Sequence, residues 1–483
     1  MNSATWRAPF RRLFLPITFC LLAGPFLCAQ TWTWAGSFGG SGSDVGVTVR
    51  ISPSGERYLT GYFSASATFE KRTLVSAGDT DVFLAKFGQW VVQISGVAHD
   101  EGSDIALDNA GNVYLTGWFT NRAIFQSTDG VSVTRSGLSE TIFLAKYSST
   151  GVVQWVQSGT VSSVSINRGH GVAVDPVSGA VYLTGMSQGS TVFSSSNGSS
   201  NTVPGPGGWH MYLVKYHPDG NFQWGEWNEA TVNSVPHKVA ADALGNAYVT
   251  GWFEGQATFH SMNGLDQTVV GLSEPIQSAP DYPDDSFVVK YDSNGNLQWV
   301  NDIGGYKAIM NDITVSASGN ISVSGLVGNI NGTSQQQETL VTSQSPGTTI
   351  NVGGGTFTSP YNRDILVATY DSSGVALNAA RIGGTGEEDG GRILASGEDL
   401  YVSGVVESTN HLIIGKFTQG LEDWASYDGG PISAPLELPA AIAMTREGLI
   451  VVAGGFVNTA NFGSHPLTSN GAEDGFMATL SLP

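Results

Sequence analysis

The stretch GNVYLTGWF at residues 111–119 returns almost unchanged as GNAYVTGWF at 245–253. A chain that repeats itself at long intervals folds as stacked copies of one unit, and this removes most other architectures at once. The core of the phrase occurs seven times: YLTGYF (58–63), YLTGWF (114–119), YLTGMS (182–187), YVTGWF (248–253), SVSGLV (322–327), YVSGVV (401–406) and VVAGGF (451–456). A second phrase follows each copy, from DVFLAKF (81–87) to DGFMATL (474–480). A tryptophan completes the unit at Trp34, Trp90, Trp155, Trp224, Trp299 and Trp424, with Asn378 in the remaining position.

Within the second copy, DIALD (104–108), NVYLTG (112–117), IFLAKY (142–147) and VVQWVQ (152–157) are strand-like, and short Gly-containing turns join them in pairs. Four antiparallel strands written seven times predict an all-β fold, a seven-bladed β-propeller of four-stranded blades. The leader aside, the chain begins on an outer-strand phrase (TWTWAGSF) and ends on a third-strand phrase (GFMATLSL). The N-terminal strand is therefore expected to complete the last blade, closing the ring and removing exposed sheet edges.

In this cyclic order, GNVYLTGWF, DVFLAKF and DSNGNLQWV resemble the bacterial β-propeller repeat called the SBBP repeat. The resemblance is strongest in the first four copies and weakens in the last three, where the lysine of the second phrase becomes Thr369 and Thr479. It implies a propeller in a secreted or surface-associated protein, and it brings no catalytic residues.

Residues 1–29 read as a secretory leader. Arg7, Arg11 and Arg12 precede the apolar run 13–27, and Ala29 offers a small residue for cleavage. Both cysteines, Cys20 and Cys28, fall inside it, so thiol chemistry is not expected in residues 30–483, the propeller domain. No later run is long and apolar enough to cross a membrane as a helix, so no membrane insertion is expected after cleavage. Without the three leader arginines, 18 basic residues face 41 acidic ones, a net charge of −23. Such a chain, lacking a basic stripe, repels phosphate backbones and excludes nucleic acid as a partner. A released, monomeric protein is expected, with no anchoring segment after the last strand.

Length variation is confined to one connection. From the tryptophan position to the next phrase-one glycine, the spacing is 26 to 30 residues. From that glycine to the second phrase it ranges from 7 to 39. The long connections between second and third strands are expected to gather on one face as a walled, open-sided cup, where repeat proteins place binding sites. A phenylalanine eight residues after the glycine (Phe69, Phe125, Phe193, Phe259, Phe462) reads as a packing anchor beneath each.

Aligned at the hairpin, the residues starting the first strands are Gly46, Asp104, Gly171, Lys238, Asp312, Arg392 and Ala441, preceded by Val45, Ser103, His170, His237, Asn311, Gly391 and Ala440. A structural column repeats one residue type, whereas these diverge into acids, bases and histidines. They read either as a mixed-charge pocket for a polar ligand or as a solvated rim. His170 and His237 with Asp104 or Asp312 offer zinc-type donors but no ligand spacing. Asp281, Asp284 and Asp285 in DYPDDS are weak calcium candidates, since Pro283 interrupts them and no EF-hand pattern is present. Trp118 and Trp252 follow the phrase-one glycine and could stack on sugars or pack between blades. No HExxH or P-loop signature occurs, and no residue is nominated as catalytic. The sequence thus points to a non-enzymatic binding protein without a cofactor, its partner a polysaccharide or a surface protein. The alternative is a propeller lyase or glycoside hydrolase working in the central cup.

Overall fold

The structure, a computed structural model, describes residues 30–163, 165–271, 284–304, 307–328, 339–343, 349–352, 363–383, 388–406, 411–418, 421–428 and 440–482. Among these residues every regular element is a β-strand. Antiparallel units of four strands follow one another. The first comprises Asp44–Ile51, Arg57–Phe69, Arg72–Lys86 and Trp90–Gly96, and the second Glu101–Leu107, Val113–Gln126, Ser132–Tyr147 and Val153–Thr160. The same order recurs from Arg168, Ser234, Ala308 and Glu388. In the last unit, Ala441–Met444, Ile450–Phe456 and Asp474–Ser481 pair in sequence, and the N-terminal strand Thr31–Gly40 pairs with Asp474–Ser481.

The turns explain the regularity. Asp108 accepts from the Gly111 N–H at 2.9 Å, Gly111 takes φ +78°, and the Asp108 carboxylate accepts the Ala110 and Asn112 N–H groups. Asp242–Gly245 repeats this geometry, again with φ +78° at the glycine. A positive φ is readily adopted by glycine, so the turn fixes both hairpin length and strand register.

The cores lie between neighbouring units. Tyr58, Val82 and Leu84 of the first unit pack with Ile105, Leu115 and Phe143 of the second. Phe38, Val451 and Met477 of the last unit pack with Val49, Leu59 and Phe83 of the first. Each fully buried side chain of this kind contributes about 1.5–3 kcal/mol.

Three repeated residues form a polar clasp between units. The Lys86 ammonium lies 5.4 Å from the Tyr58 ring centroid, and Lys86 Nζ and Trp90 Nε1 both donate to the Ser149 carbonyl of the next unit. Lys146 and Trp155 share the Pro218 carbonyl, Lys215 and Trp224 that of Ser293, and Lys290 and Trp299 that of Ser372. One carbonyl accepting two donors ties each sheet to the next at a fixed offset.

Where described, the long connections form β-ribbons that reach back to the outer strand of the preceding unit. Phe125 pairs with Ile94, Phe193 with Gly159, Phe259 with Asn228, Val341 with Ile303 and Ala67 with Gly40. An outer strand has an unpaired edge, and the ribbon covers part of it. The phenylalanines pack on third-strand aromatics: Phe125 on Phe143 (5.2 Å), Phe259 on Phe287 (5.0 Å) and Phe462 on Phe476 (4.9 Å). Much of the fourth and fifth connections lies outside the described residues.

Candidate functional site

In the first six units the register of the inner strand slips at one place: between Gly46 and Thr48, Gly102 and Asp104, Gly169 and Gly171, Pro236 and Lys238, Met310 and Asp312, and Gly390 and Arg392. Each slip is a β-bulge, which inserts one residue and re-aims its side chain. The inserted residues are Val47, Ser103, His170, His237, Asn311 and Gly391. Opposite each bulge stands the phrase-one glycine. At Gly117 a Cβ would overlap the Glu101 carbonyl oxygen, and Gly61, Gly185, Gly251 and Gly325 meet their bulged strands in the same way. Bulge and glycine are one device.

This corrects the first unit's alignment. Thr48 and Val47, rather than Gly46 and Val45, occupy the columns. Thr48 stands seven residues before the turn glycine Gly55, as Asp104 does before Gly111.

The bulge side chains converge on a cavity of about 660 Å³, lined by residues of the first six units. Val47, Ser103, His170, His237 and Asn311 all line it. His170 Nδ1 pairs with the Pro236 carbonyl at 2.7 Å, His237 Nδ1 with that of Met310 at 3.1 Å, and Asn311 Nδ2 donates to that of Gly390 at 2.9 Å. A carbonyl only accepts, so each imidazole carries its proton on Nδ1 and turns an Nε2 lone pair elsewhere. Burial lowers the His170 pKa to about 4 and the His237 pKa to about 3, leaving both rings neutral at physiological pH.

One residue further along, charges alternate. Lys238 Nζ reaches past the third unit to Asp104 Oδ2 at 3.0 Å and also donates to the Ser103 and His170 carbonyls, both at 3.3 Å. Gly171 lies between, and a Cβ there would stand 3.0 Å from the Lys238 Cα. Arg50 meets the other Asp104 oxygen at 3.3 Å. Burial alone would raise the Asp104 carboxyl, but Lys238 and Arg50 outweigh it and hold it below the usual range. Burial brings Lys238 down to about 8. Asp104 also accepts the Val172 N–H, and Asp312 the Ile393 N–H, so both carboxylates tie their inner strand to the next.

Of the eight side chains singled out in the sequence, His170, His237, Lys238, Arg392, Trp118 and Trp252 line the cavity, while Asp104 and Asp312 stand behind its wall. Trp118 is only 4% exposed, with His99 packed at 4.8 Å and the Arg168 guanidinium over its ring at 4.4 Å. That enclosure leaves it no free face for a sugar. Trp252 and Trp209 are half-buried at the wall and retain that capacity. Sequence reasoning missed Tyr62, Glu101, Arg168 and Lys307, which also line the cavity. Each lies within three residues of a bulge or of its opposing glycine, which is the signal that could have found them. Arg168 is paired with Glu140 at 2.8 Å and Lys307 with Asp284 at 3.1 Å.

Among the described residues, the zinc and calcium candidates form no cluster of three donors. The two imidazole centroids are 6.5 Å apart, and Asp104 is committed to Lys238 and Arg50. Asp284 pairs with Lys307, Asp285 is 1% exposed at a strand start, and Asp281 lies outside the described residues. Among the described residues no three His, Cys, Asp or Glu side chains converge to hold a metal ion. The sequence Gly185-Met186-Ser187-Gln188-Gly189 matches a GxSxG pattern, but Ser187 is fully buried in a strand and donates to Asn167 at 2.7 Å. A nucleophile elbow needs an exposed serine on a strand-to-helix turn.

Residues 89–121 match the SBBP family, described as a β-propeller repeat. An uncharacterised WD repeat-containing protein of Acanthamoeba polyphaga mimivirus is 25% identical over 329 residues, 56% of this chain and 23% of that protein. The chain thus spans about a quarter of the curated relative it matches. Among solved structures, a streptogramin B lyase is 10% identical, with 94% of this chain and 100% of that one covered at a TM-score of 0.37. The Dos1 propeller is 9% identical, with 93% and 95% covered at a TM-score of 0.41. Residues 89–121 thus match a β-propeller repeat, and the same strand order and pairing recur in the other units of the described residues.

Proposed function

We propose that the units form a seven-bladed ring closed by Thr31–Gly40, in a secreted, non-enzymatic protein that binds a glycan in its central cavity. Closure is supported by the pairing of that strand with Asp474–Ser481 and by the packing of the last unit on the first. The observation that carries the binding reading is the run of bulges. Five successive units aim a side chain into one cavity, and Ser103, His170, His237 and Asn311 give it donors and acceptors suited to hydroxyls. Half-buried Trp209 and Trp252 add apolar faces of the kind that pack on sugar rings. A volume of about 660 Å³ falls within the usual range for ligand sites.

The hydrolase alternative loses Asp104 and Asp312 as its acid–base pair. Inverting or retaining hydrolysis needs two carboxyl groups facing the scissile bond. Asp104 and Asp312 are instead held by backbone N–H groups of their own and the next strand. A glycan array with purified protein tests the proposal. Specific binding is expected, lost or weakened at least tenfold in Trp252→Ala, with no cleaved product in the bound wells. A folded protein that binds no glycan refutes it, and product formation replaces it with the enzyme reading.

A further inference from the structure

Four cations and two carboxylates line the cavity, in a protein whose overall charge is −20: Glu101, Arg168, Asp284 and Lys307, with Lys238 and Arg392. Asp104 and Asp312 stand behind the wall. Of the lining groups, Arg168 is paired with Glu140, Lys307 with Asp284, and Glu101 with His99 at 3.7 Å. Lys238 is saturated by Asp104 and two carbonyls.

Arg392 differs. It is 6% exposed and lines the cavity, yet its Nε has no hydrogen-bond partner among the described residues. Asp312 and Asp104 attract it through space and Arg50 opposes them. A buried guanidinium is costly to leave incompletely paired, and its planar fork matches a carboxylate in two parallel hydrogen bonds. The same cavity is lined by His170 and His237, neutral acceptors, and by Asn311, whose amide is set by Gly390.

We infer that the cavity recognises a carboxylate-bearing sugar, a uronic acid unit of an acidic glycan, with Arg392 taking the carboxylate while His170 and Asn311 take ring hydroxyls. The inference rests on the glycan reading above and specifies its ligand. A carboxylate fixed to a hydroxylated ring uses both the guanidinium and the imidazole acceptors.

The test is calorimetric titration of the purified protein with oligogalacturonates and oligoglucuronates, their methyl esters, and a sulfated oligosaccharide, all at one ionic strength. The acid form of at least one uronate is expected to bind about tenfold or more tightly than its ester, the loss expected for one charge-assisted contact. Arg392→Gln removes the charged fork but keeps a hydrogen-bonding side chain, and it is expected to erase the difference between acid and ester. The wild-type acid-to-ester ratio needs no variant and stands if that substitution fails to fold. Equal binding of acid and ester overturns the carboxylate inference while the glycan reading stands. Equal binding of the sulfated chain overturns the choice of carboxylate over other oxyanions. Binding of no acidic glycan, with neutral glycans bound on the array, overturns the inference alone. Binding of no glycan of either kind overturns both.

Discussion

Ser322, Thr369 and Asn378 show what the Tyr–Lys–Trp trio does by replacing all three members in one unit. There the Ser322 and Thr369 hydroxyls lie 3.0 Å apart, taking up at short range the polar requirement that a lysine elsewhere meets across the unit boundary. In the sequence, the missing lysine and the missing tryptophan look like separate signs of a fading repeat. In the structure they belong to one contact. Lys146→Met keeps the aliphatic stem but removes the 3.0 Å hydrogen bond to Pro218 and the cation 5.0 Å from the Tyr114 ring centroid. Equilibrium urea unfolding is expected to register a loss of about 1–3 kcal/mol. A change below about 0.5 kcal/mol would mean that Trp155 alone holds the clasp.

At the scale of the element, the bulge is the feature that turns a repeat into the lining of a cavity. The phrase-one glycine is legible in the sequence as a place of close backbone approach, and the structure shows which backbone approaches. The fold was readable because strand period, turn glycines and repeated phrases all agree. Six of the cavity side chains were readable because their columns diverge where neighbouring columns repeat. The ribbons were not readable, because pairing with the preceding unit's outer strand is decided by contacts far apart in the chain. Trp118 misled for a related reason: the residues enclosing it, His99 and Arg168, come from two different units. Gly117→Ala would set a methyl group against the Glu101 carbonyl and force the bulge to relax. A destabilisation of roughly 2–4 kcal/mol in thermal or urea unfolding is expected. Ala110→Gly, in the exposed turn of the same unit, serves as the control and should cost less than about 1 kcal/mol.

Over the whole molecule, buried titrating groups set a pH dependence with two opposed arms. Burial raises the pKa of Asp44 and Asp100 to about 7 and of Glu226 to about 8. Because these folded-state values exceed the unfolded ones, their stabilisation is full below about pH 4 and is lost as pH rises through 7 to 8. Burial lowers His170 and His210 to about 4 and His237 to about 3. The unfolded chain takes up those protons below about pH 6.5 while the folded one does not, so stability falls on that side as pH falls. The arms offset one another between pH 4 and 6.5; above, the carboxyl arm leads and Lys238, lowered by burial to about 8, opposes it in part. Stability is therefore expected to change little from pH 5 to 6.5 and to fall by roughly 2 kcal/mol from 6.5 to 8.5. Asp100→Asn should flatten the upper arm. A rise in stability over that interval would contradict the buried-carboxyl account.

The central claim is that the bulges of successive units make one binding cavity, and hydrogen–deuterium exchange with the tightest glycan from the array tests it most directly. Protection is predicted in residues 101–104, 168–171, 235–238 and 309–312, the bulged starts of four inner strands, with the turns at 108–111 and 242–245 unchanged. Protection confined to the outer ribbons or to those turns, with the bulged segments unaffected, would contradict the claim.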